Sequence, residues 1–140
     1  MSKNKPRRAK GSETELFARR DPNDLIPLRP VEFEILLVLT AGNAHGYAII
    51  KEAESRANGL SRIETGTLYR ALRRLAAEGL VEPADEKPAA DVDDERRRYF
   101  SITPFGRDVA AAEARRLATQ VDTARSRALL DGARTGGGAP

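Results

Sequence analysis

The 140-residue chain has no cysteine and no tryptophan, a single histidine, one methionine, three tyrosines and four phenylalanines. Without cysteine there is no disulfide framework, no thiol nucleophile and no thiolate metal site, which agrees with a reducing compartment. His45 lies in the Gly42–Gly46 turn with no second histidine or cysteine to share a metal or a proton, so a structural turn residue is the reading. So few aromatic rings give no sign of a stacking cavity for a planar ligand. Long apolar runs are also missing. The longest is Ile35 to Leu39, and the opening MSKNKPRRAK is charged throughout, so neither secretion nor a membrane span is expected and the cytoplasm is the expected location. There is no paired nucleophile and base, no glycine-rich phosphate loop and no metal-ligand cluster, so neither enzymatic activity nor a cofactor is expected.

What is present is charge, and its distribution matters more than the net +3. Residues 1–29 carry 8 Lys/Arg against 4 Asp/Glu, residues 30–103 carry 10 against 13, and residues 104–140 carry 6 against 4. The body is slightly acidic, so overall basicity cannot argue for nucleic acid. The useful signal is local: Arg62, Arg70, Arg73 and Arg74 cluster, while Glu32, Glu34, Glu52 and Glu54 fall on other predicted helices.

Chain length and 40% hydrophobic content suit one modest core with tails. Residues 1–28 are polar and interrupted by proline and glycine, and are expected to form a flexible basic arm, either a solubilising tail or a source of salt-sensitive phosphate contacts. Pro30 opens a core helix, VEFEILLVLTAG, in which Val31, Ile35, Val38 and Leu39 share a face and Gly42 stops the run. After the turn GNAHG, Tyr47 to Arg56 forms a second short helix.

The stretch Ile63–Leu80, IETGTLYRALRRLAAEGL, carries the clearest pattern. Leu68, Leu72 and Leu75 recur as one buried stripe, widened by Ala71 and Ala76. The opposite arc holds Thr65, Thr67, Tyr69, Arg70, Arg73 and Arg74, with no carboxylate until Glu78. Such an arc suits phosphates and bases, although a solvated helix face has the same composition. Thr65 is the expected N-cap, and Gly79 the left-handed residue that ends the helix. Two extended segments follow, Leu80–Glu82 and Arg97–Thr103, and pair as a hairpin. Their connection is long and acidic, with Asp85, Glu86, Asp91, Asp93, Asp94 and Glu95 against Lys87, and its tip is expected to be mobile. Those carboxylates lack the glycine and ligand count of a calcium loop, so a solvated loop is preferred to a cation site.

Three helices and a hairpin in this order make a winged helix-turn-helix over residues 29–103: mainly α with a small β-hairpin, the second helix of the motif entering a DNA major groove. A long alanine-rich helix over 104–131 follows, in which Ala110, Ala114, Leu117, Val121, Ala124 and Ala128 fall at steps of four and three residues. That seam extends about 37 Å beyond the domain at 1.5 Å per residue. A second copy of the chain covers it, or the helix folds back on its own domain. The tail 132–140 is expected to be disordered.

Three strings, HGYAIIKE (45–52), TGTLYRALRRLAAEGLV (65–81) and RRRYFSITPFGRD (96–108), resemble in order and spacing the signature blocks of the PadR-like transcriptional regulators. The resemblance covers roughly residues 33–108. It implies a homodimeric, DNA-binding repressor of a bacterial operon, bound to a palindromic operator and often released by a small-molecule effector, for which the dimer interface is the expected seat. Position by position, it implies groove contacts from Thr65, Thr67, Tyr69, Arg70 and Arg73, a phosphate contact from Tyr47, and wing contacts from Arg96, Arg97 and Arg98. Arg62 and Arg74 join these through the arginine cluster. Many members carry proline where this chain has Arg70, and the acidic wing tip disfavours its entry into a minor groove, leaving the Arg96–Arg98 stem as the contact. A winged-helix module that binds only protein is the alternative function.

Overall fold

A computed structural model describes residues 20–56, 62–84 and 98–130. Helix α1 (Pro30–Thr40) starts where the sequence predicts: Pro30 supplies a preset φ at the first position, and the Arg29 N–H donates to Glu32 Oε1 at 3.0 Å. Its Ile35, Leu36, Val38 and Leu39 are buried, and every other helix packs against it. Strand β1 (Ala44–His45) leads directly into α2 (Gly46–Arg56), whose Ile49 and Ala53 enter the core. Helix α3 (Thr65–Ala77) buries Leu68, Ala71, Leu72 and Leu75; Ala76 stays exposed. Burying each of the three leucines contributes about 1.5–3 kcal/mol, which fixes the face that α3 turns inward.

The N-cap of α3 is Glu64, one residue before the expected Thr65. Its C-terminus follows the predicted pattern. Gly79 has φ +82°, its N–H bonds to the Ala76 carbonyl, and the Leu80 N–H reaches back to the Leu75 carbonyl at 2.9 Å, the paired bonds of a Schellman motif. Leu75 and Leu80 are both buried and close the motif with an apolar contact.

Strands β2 (Val81–Ala84) and β3 (Tyr99–Ile102) pair antiparallel, with Val81 opposite Ile102 and Pro83 opposite Phe100. The sheet is larger than the predicted hairpin. β1 pairs with the other edge of β3, giving the order β1-β3-β2 among the described residues. Two residues in a turn-like GNAHG stretch are too short a run for periodicity to reveal. Central placement also buries Tyr99, with its ring edge-on to His45 at 5.2 Å. Pro83 sits on edge strand β2, where a missing N–H leaves no ladder bond unmade.

Helix α4 (Pro104–Ser126) ends five residues short of the expected 131; Ala128 lies beyond it with φ +67°. The reading of residues 1–28 as a flexible arm meets a second difference. Residues 22–25 form a 3-10 turn against α4, and Leu25, Ile26 and Leu28 pack on the core. Composition misses this because Leu25, Ile26 and Leu28 form too short an apolar run to carry periodicity, yet all three pack against the core. The acidic connection 85–95 and the tail 132–140 fall outside the described residues.

Candidate nucleic-acid interface

With its leucines turned inward, α3 presents Thr65, Tyr69, Arg70 and Arg73 on the exposed side, and Thr67 half-buried at the edge. Arg70 Nη2 donates to Thr67 Oγ1 at 3.3 Å, so a threonine one turn earlier steadies that guanidinium in the absence of a partner. Arg62 is exposed just before the helix. Hydroxyls bond phosphate oxygens, and an arginine can bond guanine O6 and N7 together, so this arc has both kinds of group that duplex recognition uses.

Arg74 does not share the arc. Its Nε donates to Glu32 Oε2 at 2.6 Å, joining the inner edge of α3 to the first turn of α1. Glu32 is buried and needs a cationic partner, so this guanidinium, its side chain 37% exposed, ties α3 to α1. Arg56 pairs likewise with Glu34 at 3.0 Å and Glu52 at 3.5 Å. Glu32, Glu34 and Glu52 are thus each paired with an arginine from outside the Thr65–Arg73 arc.

The start of α2 is built around close contact with α3. A β-carbon at position 46 would overlap the Tyr69 hydroxyl and lie 2.8 Å from its Cζ and 3.0 Å from Leu68 Cδ2. Glycine is needed there for Tyr69 to lie across the helix start. His45 Nδ1 accepts the Ala48 N–H at 3.1 Å and so caps α2. Tyr47, 58% exposed, lies parallel to the His45 ring, and Lys51 Nζ stands 5.4 Å from the Tyr47 ring centre. Lys51 is a member of this surface that the sequence reading missed; its spacing of four from Tyr47 on one helix was the available signal.

At the far end of the sheet, Thr103 Oγ1 donates to the Gly79 carbonyl at 2.6 Å and accepts the Gly106 N–H at 2.9 Å. A β-carbon at 106 would collide with the Leu80 carbonyl oxygen. The Thr-x-x-Gly spacing thus caps α4 and allows it to approach the loop that ends α3.

A family model described as the transcriptional regulator PadR-like family matches residues 35–112, more than half of the chain. The chain belongs to the PadR-like family. Its fold resembles a transcriptional regulator from Clostridium thermocellum at a TM-score of 0.59, with 26% identity over 69% of this chain and 87% of that one. It also resembles a PadR family transcription regulator from Clostridium difficile R20291 at 0.55, with 21% identity over 69% and 95% of the two chains. In sequence it is similar to an uncharacterized 37.1 kDa protein in transposon TN4556 of Streptomyces fradiae, 40% identical over 84 residues. Those residues are 60% of this chain and 22% of the relative, so the match spans about a fifth of that protein's length.

Arg70 is exposed within an unbroken helix. Of the wing-stem arginines, Arg98 is exposed beside β3, while Arg96 and Arg97 lie outside the described residues. Along the expected seam of this PadR-like chain, Ala110 is in the domain's own core at 6% exposure. From Ala114 onward α4 buries nothing in its own domain: Leu117 and Ala124 are half-buried, and Val121 is 42% exposed. Ala128 lies past the helix end. The uncovered stretch therefore runs from Ala114 to Ala124, shorter than periodicity alone suggests.

Proposed function

We propose that this PadR-like regulator binds duplex DNA as a homodimer, each copy placing the outward arc of α3 in a major groove. The observation that carries this reading is the division of α3 into a buried leucine stripe and an exposed arc of hydroxyls and guanidiniums, on the second helix of a winged helix-turn-helix. Arg70 and Arg73 are the candidates for base contacts; Thr65, Thr67 and Tyr69 bond the flanking phosphates. Tyr47, Lys51, Arg62 and Arg98 add backbone contacts around the arc. Arg96 and Arg97 belong to the same stem by sequence.

The uncovered Ala114–Ala124 face of α4 supports the homodimer. Small side chains there allow two helices to approach closely, and the two-fold axis between them sets recognition helices about 34 Å apart, one turn of DNA. A dimer seated on a palindromic operator blocks transcription by occupancy, so repression is the regulatory sense assigned. Where an effector acts, its seat is the subunit interface. Mobility-shift and footprinting assays on the gene's own upstream region, repeated at several salt concentrations, test the proposal. A protected palindrome with two half-sites one turn apart is the expected result; binding without sequence preference at every salt concentration overturns it.

A further inference from the structure

The guanidinium of Arg70 is laid back over the first turn of α3. Its Nη2 donates to Thr67 Oγ1 at 3.3 Å, and a β-carbon at position 66 would stand 3.4 Å from its Nη1. That direction follows from the helix itself, whose side chains lean toward the N-terminus and cover the turn before their own. In a helix-turn-helix the N-terminal part of the second helix meets the base edges, so this guanidinium rests at the reading end.

Thr67 is a firm support. It is half-buried and lines a cleft with Pro30 and Val31 of α1 and with Ile63, and a β-branched side chain packed on one side keeps few rotamers. Its hydroxyl also has capacity left: with a lone pair accepting from Arg70, the O–H proton remains for a phosphate oxygen. The guanidinium keeps capacity too. Its N–H donors form two forks that share Nη2, and one Nη2 proton spent on Thr67 leaves the other fork whole. Such a fork fits guanine, which offers O6 and N7 as adjacent acceptors, whereas adenine sets an amino donor against one prong.

Building on the DNA-binding reading above, we infer that Thr67 is a positioning residue for base recognition: its hydroxyl aims the Arg70 fork at one guanine of each half-site, while its own proton bonds the neighbouring phosphate. A guanidinium already held in place loses less rotamer freedom on binding, so the hydroxyl contributes to discrimination between sequences as well as to affinity. Joining a phosphate contact and a base contact at one oxygen also ties the register of the helix on the DNA backbone to the base being read.

Selection of duplexes from a random pool by the full chain, followed by titration, tests the pairing. The base pair at which Arg70→Ala loses its preference identifies the guanine. Replacing that base by 7-deazaguanine, which lacks the N7 acceptor, should cost the wild type about five- to tenfold in affinity and Arg70→Ala nothing. Thr67→Val, which has the same shape without the hydroxyl, should weaken binding to every duplex. It should in addition cut the preference for guanine over adenine at that position about fivefold, leaving the other positions as they were. Thr67→Ser should restore the preference. In the Thr67→Val, Arg70→Ala double variant the preference should be no lower than in Arg70→Ala alone, since the hydroxyl acts through the guanidinium. Full preference in Thr67→Val, its failure to return in Thr67→Ser, or relaxation spread over several positions overturns the inference while DNA binding stands. So does an Arg70→Ala protein that keeps every preference or loses one at a base other than guanine. A wild-type chain that selects no duplex ends the DNA-binding reading and the inference with it.

Discussion

Arg74 Nε and Glu32 Oε2 meet at 2.6 Å across 42 positions of sequence, and this bond separates two arginines that are adjacent in the chain. Arg73 points outward and Arg74 inward, because 100° of helical rotation carries neighbours to different faces. The two should respond differently to truncation. Arg70→Ala and Arg73→Ala should each weaken operator binding by about 1–3 kcal/mol with little change in Tm, measured by titration and thermal unfolding. Arg74→Ala should instead lower stability by roughly 1–3 kcal/mol, since it strips a buried carboxylate of its partner. Unchanged affinity in both Arg70 and Arg73 variants would reject the groove assignment.

The two close-contact glycines should rank in a set order. At position 106 an added methyl group meets the Leu80 carbonyl, a backbone atom that cannot turn aside, so Gly106→Ala should cost about 3 kcal/mol or more. At position 46 the obstacle is a partly exposed tyrosine side chain, so Gly46→Ala should cost less but swing Tyr69 outward and impair DNA binding. Denaturant titration gives the ranking. Equal losses at the two sites would contradict the geometry.

Acid should weaken the pairing of buried Glu113 with Arg116. The Glu113 carboxyl is held below the usual glutamate value near 4.5, first by its hydrogen bonds from Arg116 and then by the Leu28 N–H, against the opposing effect of burial. A lowered folded-state value means that the unfolded chain binds the proton more readily. The stabilisation is therefore present above about pH 4.5 and is lost as pH falls through the folded-state value. Glu113→Gln should be less stable at neutral pH and show a shallower decline on acidification; Tm followed from pH 7 to pH 3.5 measures both.

Charge placed in the middle of the uncovered α4 face should divide the assembly without unfolding the domain. Val121 is 42% exposed within its own chain, so Val121→Asp should leave monomer stability nearly unchanged while shifting sedimentation from dimer to monomer. Ala110→Asp, in contrast, should lower Tm sharply, because Ala110 is packed in the domain core. A Val121→Asp protein that sediments unchanged would remove α4 from the dimer interface.

Local pattern was enough for much of the fold. The leucine stripe of α3, the Pro30 start of α1, the Gly79 stop and the outward hydroxyl and guanidinium arc each depend on residues within about two turns of one another, so periodicity and capping rules expose them. The signature strings identified the family for the same reason, being short and contiguous.

Tertiary contacts decided what depends on distant partners. Arg74 has the same local setting as Arg73, and only the placement of Glu32 on another helix turns it into a structural residue. Ala110 and Ala114 look alike in the heptad, yet the end of the core falls between them. Strand β1 exists because β3 offers it a free edge, and residues 22–28 are placed because their turn meets α4 and Leu25, Ile26 and Leu28 pack on the core. Helical phase is written every 3.6 residues along one segment, whereas the partner of a buried charge is fixed only when separate segments meet.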